Sequence, residues 1–129
     1  MRVYVPVPAG DLIDRITILK IKKANIPDAG QRANVAGELD SLIAIRACFP
    51  RLGGKDVKAC ERELLAQNRK LWAIEDRLRA LEAKQDFGKA FVAAARSVYR
   101  TNDRRAALKR EINALTGSQL REEKWFSPG

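Results

Sequence analysis

From Asp56 to the Asp86-Phe87-Gly88 turn, apolar side chains return every three or four residues with nothing to break the pattern. That is the period of an amphipathic helix. Val57, Cys60, Leu64, Leu65, Leu71, Trp72 and Leu78 form its apolar stripe, and Asp56 stands at the N-cap position. About thirty residues of helix span ~45 Å. A second long helix, about Lys89 to Leu115, follows after a turn so short that the two must run antiparallel, as a hairpin.

Two shorter segments precede the hairpin. In LIDRITILKIKK, Leu12, Ile16 and Leu19 share one helical face while Ile18 and Ile21 cover another, which predicts a helix buried on two sides. The β-branched content keeps a strand reading open there. Asp28, with Gln31 three residues on, reads as a capping box that opens the next helix. Val35, Leu39, Leu42, Ile43 and Arg46 form that helix's inward face, and Pro50 and Gly53-Gly54 end it. RVYVPV at residues 2 to 7 is β-rich but interrupted by proline, as in an edge strand or an extended arm. Gly117 reads as a helix C′ residue, and Ser118 as the N-cap of a short final helix leading to Lys124-Trp125-Phe126. The expected architecture is mainly all-α: one helical domain over 1–129, with an extended arm at 1–8 and helices at 9–24, 28–49, 56–86 and 88–116. A short helix or tail at 118–126 closes it. Two shorter helices pack on one long antiparallel hairpin.

The polar positions break this regularity in one place. In the fourth helix Asn102, Arg105 and Lys109 fall on the face that Phe91, Ala95, Val98 and Ile112 mark as buried. In the third, Glu61, Asn68, Glu75 and Glu82 recur every seventh residue along the apolar face. Folding the hairpin about residue 87 brings Glu75 near Tyr99 and Asn102, and Asn68 near Arg105 and Lys109. An unpaired charge in a helical core costs several kcal/mol, so these groups must be paired, partly solvated or turned toward a ligand. Two readings follow. The row fixes the register of the long helices, or Arg105, Lys109 and Arg15 hold a carboxylate or phosphate that Asn68, Asn102 and Tyr99 orient.

Composition narrows the field. The chain is 46% hydrophobic and 32% charged with only 8 Gly and 5 Pro, the profile of a folded, helix-rich protein. Its net charge of +9 favours anionic partners such as phosphates, nucleic acid or a membrane surface, and the partner expected at the polar centre is an anionic small molecule or a protein. Arg100, Arg104, Arg110 and Arg121 are scattered around the helices, however, and lack interleaved aromatics, which argues against nucleic acid. With no His and two lone cysteines, Cys48 and Cys60, a His-based triad or zinc cluster is excluded. The cysteines read as buried small hydrophobes. Glu75 and Asp76 are adjacent and diverge by about 100° on a helix, so they chelate no ion without help from a residue such as Asp14. Neither metal nor cofactor is expected. No run reaches the ~20 apolar residues of a membrane span, and no signal-peptide pattern opens the chain, so the expected location is cytoplasmic. Apolar surface at the far end of the hairpin predicts a homo-oligomer.

Five segments, VPVPAGDLIDRITILKIKK, RANVAGELDSL, LWAIEDRLRA, FVAAARSVYRTNDRRAALKREIN and GSQLREEKW, resemble a bacterial family known only as a domain of unknown function. The resemblance covers most of the chain. It implies signature side chains at Asp14, Trp72, Glu75, Asp76, Arg96, Tyr99, Asn102, Arg105 and Lys109, and through an association with sugar-transferase proteins it implies a glycan or nucleotide-sugar context. It implies no activity. A weaker likeness links LIDRITILKIKK to the first helix of the all-helical chorismate mutases, which would give Arg15 and Lys20 a basic role in a small enzyme. The later Glu and Gln pattern of that family is missing. A binding module for an anionic ligand and a small enzyme acting on a phosphorylated or carboxylated metabolite thus remain the two function classes.

Overall fold

The structure, a computed structural model, describes residues 1–120 and 122–128. Four α-helices follow in order: α1 (Ala9–Asn25), α2 (Ala29–Ala47), α3 (Lys55–Ala83) and α4 (Lys89–Thr116), with a 3-10 turn at Pro50–Gly53. Among the described residues there is no strand, and residues 1–7 form an exposed arm. LIDRITILKIKK is therefore helical, and the reason is the two-sided burial its pattern calls for. Ile13 joins Leu52, Val57, Cys60, Leu64, Leu108 and Ile112 in one core, while Ile16 and Leu19 meet Leu39 of α2 in another. A strand would turn Ile16 and Leu19 to opposite faces, whereas both pack in the one cluster around Leu39. α1 is thus the central element, with α2 on one flank and the α3/α4 hairpin on the other. Each fully buried Leu or Ile contributes about 1.5–3 kcal/mol, which makes the α1–α3–α4 core the main stabilising layer.

Local signals explain most boundaries. The Asp28 carboxylate accepts the Gln31 amide at 2.8 Å and caps α2. Gly117 ends α4 at φ 65°, a left-handed conformation that a Cβ disfavours. Gly10 has a different role: its amide donates to Asn113 Oδ1 at 2.7 Å, and a Cβ there would lie 2.4 Å from the Lys109 carbonyl oxygen. The start of α1 crosses α4 backbone to backbone, and only glycine permits that approach.

Several expectations are corrected. α3 begins at Lys55 with Gly54 as its cap, so Asp56 lies inside the first turn. It ends at Ala83, not 86, because Gln85 turns to φ 56° and begins the hairpin loop. The described residues from Ser118 onward form no helix; the Ser118 hydroxyl donates to the Leu120 carbonyl and accepts the Ala9 amide at the start of α1. Arg121 lies outside the described residues. Ile43 and Cys48 are exposed, because α2 packs mainly on α1 and turns most of its surface to solvent. In α4 the buried positions are Ala94, Thr101, Ala106, Leu108, Ile112 and Asn113, whereas Ala95 is exposed and Val98 half-buried. That phase sets Asn102, Arg105 and Lys109 on the flank facing α1, not at the centre of the α3 contact.

A polar clamp ties α2 to the hairpin. Arg46 presents two nitrogens to Glu61, at 2.6 and 2.9 Å, and donates to the Leu52 carbonyl at 2.9 Å, with Lys20 at 3.6 Å from the same carboxylate. Burial alone would raise the Glu61 carboxyl, but the Arg46 hydrogen bonds and charge, helped by Lys20, hold it below the ordinary 4.5. A carboxyl depressed by folding contributes stability that is present above its ordinary value and lost as pH falls through the folded value. The stability advantage of the wild type over Glu61→Gln, measured by urea unfolding, is therefore expected to shrink between about pH 6 and about pH 3. An advantage that holds constant across that range would deny the charge its role.

Candidate functional site

The polar groups of the hairpin converge on a residue of α1. Asp14 is buried, with 6% of its surface exposed. Its Oδ1 accepts from Asn68 Nδ2 at 2.8 Å, and its Oδ2 accepts from Arg105 at 2.8 Å. Asn68 also donates to the Thr17 hydroxyl at 2.8 Å, and Thr17 donates to the Asp14 carbonyl at 2.7 Å. Arg105 completes the chain by donating to Asn102 Oδ1 at 2.8 Å. Three helices are fastened at one point, and the Asp14 charge is met by a guanidinium and an amide. Such pairing is what makes a buried charge tolerable. Arg105 keeps one unused group, its buried Nε, which has no partner.

Lys109 lies one turn further along α4. Its Nζ is 2.9 Å from Asp11 Oδ1 and 2.6 Å from Glu122 Oε2. Burial would lower the ammonium, but contact with Glu122 and Asp11 more than reverses this, so its proton is held more tightly than usual. Glu122 is held below the ordinary carboxylate range, chiefly by Lys109.

Two depressions flank Arg105. The larger, a groove of about 400 Å³, runs between α1 and α3 and is lined by Ile18, Ile21 and Lys22 from α1, by Asn68, Leu71, Trp72, Glu75, Asp76 and Arg79 from α3, and by Arg105. Apolar surface dominates its walls, with Trp72 half-buried among them. Neither Lys22 nor Arg79 has an ion-pair partner among the described residues. The smaller basin, about 260 Å³, is lined by Asn102, Arg105, Ala106, Lys109, Glu122 and Lys124.

Of the residues singled out in the sequence, Asn68, Trp72, Glu75, Asp76 and Arg105 line the groove, and Asn102, Arg105 and Lys109 line the basin. Arg15 is exposed and lines neither. Tyr99 does not meet Glu75 in a core: it is 54% exposed, and its hydroxyl is drawn below its ordinary value by Arg96 and Arg100 beside it. The heptad row on α3 also diverges. Glu61 is in the α2 clamp and Asn68 is buried, but Glu75 and Glu82 are exposed. A straight helix drifts ~20° per seven residues, so a row that begins inward leaves the interface. Sequence reasoning misses Asp14 as the hub, together with Thr17, Gly10 and Asn113. The available signal is a lone acid in an apolar run, LIDRI, which needs a basic partner once the run is buried. Among the described residues no three side chains of the metal-ligand types come together, and Asp14 is turned to Asn68 and Arg105 instead of toward Glu75 or Asp76. No described helix is long and apolar enough to cross a membrane.

Neither a curated protein sequence nor a solved structure matches the chain. A family model does, over residues 1–128, so that its span takes in the α1 hub, both depressions and the tail that carries Glu122. The chain accordingly belongs to the family of unknown function DUF6165.

Proposed function

We propose that the protein is a binding module for a small anionic ligand that carries a flat ring, held in the groove between α1 and α3. One observation carries this reading: the groove sets Trp72 beside Lys22, Arg79 and Arg105, and the first two cations lack ion-pair partners among the described residues. An indole face with neighbouring cations suits a ring stacked on one side and a phosphate or carboxylate on the other. Glu75 and Asp76, exposed along the same wall, suit hydroxyl or amino groups of the ligand, which fits a nucleotide or nucleotide sugar better than a bare anion. The Asp14 network supports the groove by fixing the Arg105 guanidinium, so that little side-chain freedom is lost on binding. The only carboxylate buried in this network is already paired, so the reading is of recognition without proton transfer.

A thermal-shift series with uridine diphosphate and its sugar conjugates tests it. At 100 to 1,000 times Kd, a ligand of the native state stabilises by roughly 3–4 kcal/mol, a rise of several degrees in Tm. Arg79→Ala, at an exposed position, is expected to leave the unliganded Tm unchanged and to abolish most of that rise. The absence of any rise in the wild type, or an equal rise in Arg79→Ala, would reject the groove as the site.

A further inference from the structure

The chain's C-terminal segment brings a carboxylate to a half-buried lysine that already has one. Lys109 is paired with Asp11 from α1, yet Glu122 reaches it at 2.6 Å from a stretch with no helix of its own. What holds this stretch to the body is electrostatic. Glu122 lies against Lys109 and Lys124 is 3.6 Å from Asp103, while Trp125 and Phe126 remain 79% and 69% exposed. The floor of the basin, Asn102, Arg105, Ala106 and Lys109, is one face of α4, and Glu122 and Lys124 of the tail form its other side. With Glu122 and Lys124 in place the basin still measures about 260 Å³, room for an oxyanion beside the Glu122 carboxylate, and Arg105 stands on its wall.

From these observations we infer that the basin is an oxyanion-binding site for a phosphate or carboxylate group, and that Glu122 occupies it as an internal surrogate which the external anion displaces. Arg105 and Lys109 hold the anion, and Asn102 supplies its amide. The surrogate competes by tethering, since a carboxylate a few residues from the end of α4 acts at an effective concentration on the order of millimolar, which external phosphate can exceed. Displacement also frees the segment carrying Trp125 and Phe126, so occupancy of the basin governs whether an apolar tail is held or released. This goes beyond the groove reading and shares only Arg105 with it.

The test uses the isotope-labelled full chain titrated with inorganic phosphate and followed by amide shifts. In the wild type, phosphate is expected to move amides from Asn102 to Lys109 together with those of residues 122 to 126. In Glu122→Gln the tail amides should begin near their displaced positions, and phosphate should bind at least tenfold tighter. A tenfold gain corresponds to a tail that closes the basin about nine-tenths of the time. Lys109→Met should remove the response. Because that change leaves Asp11 unpaired, the proposal stands or falls on Glu122→Gln, which keeps every residue of the helical body. A gain below tenfold, or shifts confined to the α3 wall of the groove, overturns the proposal. Trp72→Ala distinguishes it from the groove reading: the phosphate response should persist there even if nucleotide binding never occurs.

Discussion

Replacing Asp14 by Ala is expected to lower the free energy of unfolding by about 3–5 kcal/mol, the cost of breaking a buried ion pair by removing one partner. The magnitude follows from what is left behind. Arg105 loses the acceptor at 2.8 Å, Asn68 keeps only Thr17, and Arg105, four-fifths shielded, must find water or move. Removing both partners of such a pair is far gentler than removing one, so Asp14→Ala combined with Arg105→Met should lose less than the sum of the single changes, with a coupling of about 1–3 kcal/mol. Urea unfolding of the four proteins in that cycle is the check. Simple additivity would mean that the network is a bystander to the packing of α1.

Gly10→Ala is the second large effect and concerns backbone alone. In an ordinary helix the change stabilises by roughly 0.5–1 kcal/mol. At position 10 the added methyl would meet the Lys109 carbonyl oxygen at 2.4 Å and Asn113 Oδ1 at 3.0 Å, so α1 must lift from α4 and strain the 2.7 Å bond from the Gly10 amide to Asn113. A loss of about 3 kcal/mol is expected, the upper part of the range for overpacking. Gly37, in α2, supplies the control, because a Cβ there has nothing within 4 Å. Gly37→Ala should stabilise while Gly10→Ala destabilises, by the same denaturation measurement. Equal effects at both positions would show that α1 crosses α4 less closely than these distances require.

What can be read from the sequence divides along a physical line. Periodicity within a helix is local, so the four helices, the antiparallel hairpin, the Asp28 cap and the Gly117 terminus are legible. The helical state of LIDRITILKIKK is too, once its apolar residues demand burial on two sides. Contacts between helices are not, because a helical wheel fixes rotation about one axis and says nothing of axial position. The wheel sets Asn68 near Arg105, and they do meet, but through Asp14 of α1. Counting sevens carries Glu75 inward, although drift across two heptads brings it to solvent. Gly10 shows the same limit: a glycine beside the start of a helix signals a turn, and the close approach it serves depends on where α4 passes. Trp72 and Asp76 enter as candidates through family resemblance alone, and the groove supplies a physical setting for them beside Arg79 and Lys22.

Arg105 fastens α1 to the hairpin, and in the proposed function it also presents its guanidinium to the ligand. In that proposal a ring-bearing anion stacks on Trp72 next to that guanidinium. The most direct measurement is the side-chain spectrum of the labelled protein during titration with uridine diphosphate, following the Trp72 indole and the Arg79 Nε–H, which line the groove and not the basin. Both signals are expected to shift in parallel and saturate with one Kd, while the Trp125 indole follows only the phosphate-linked response. Saturable binding that leaves the Trp72 indole unmoved would contradict the claim.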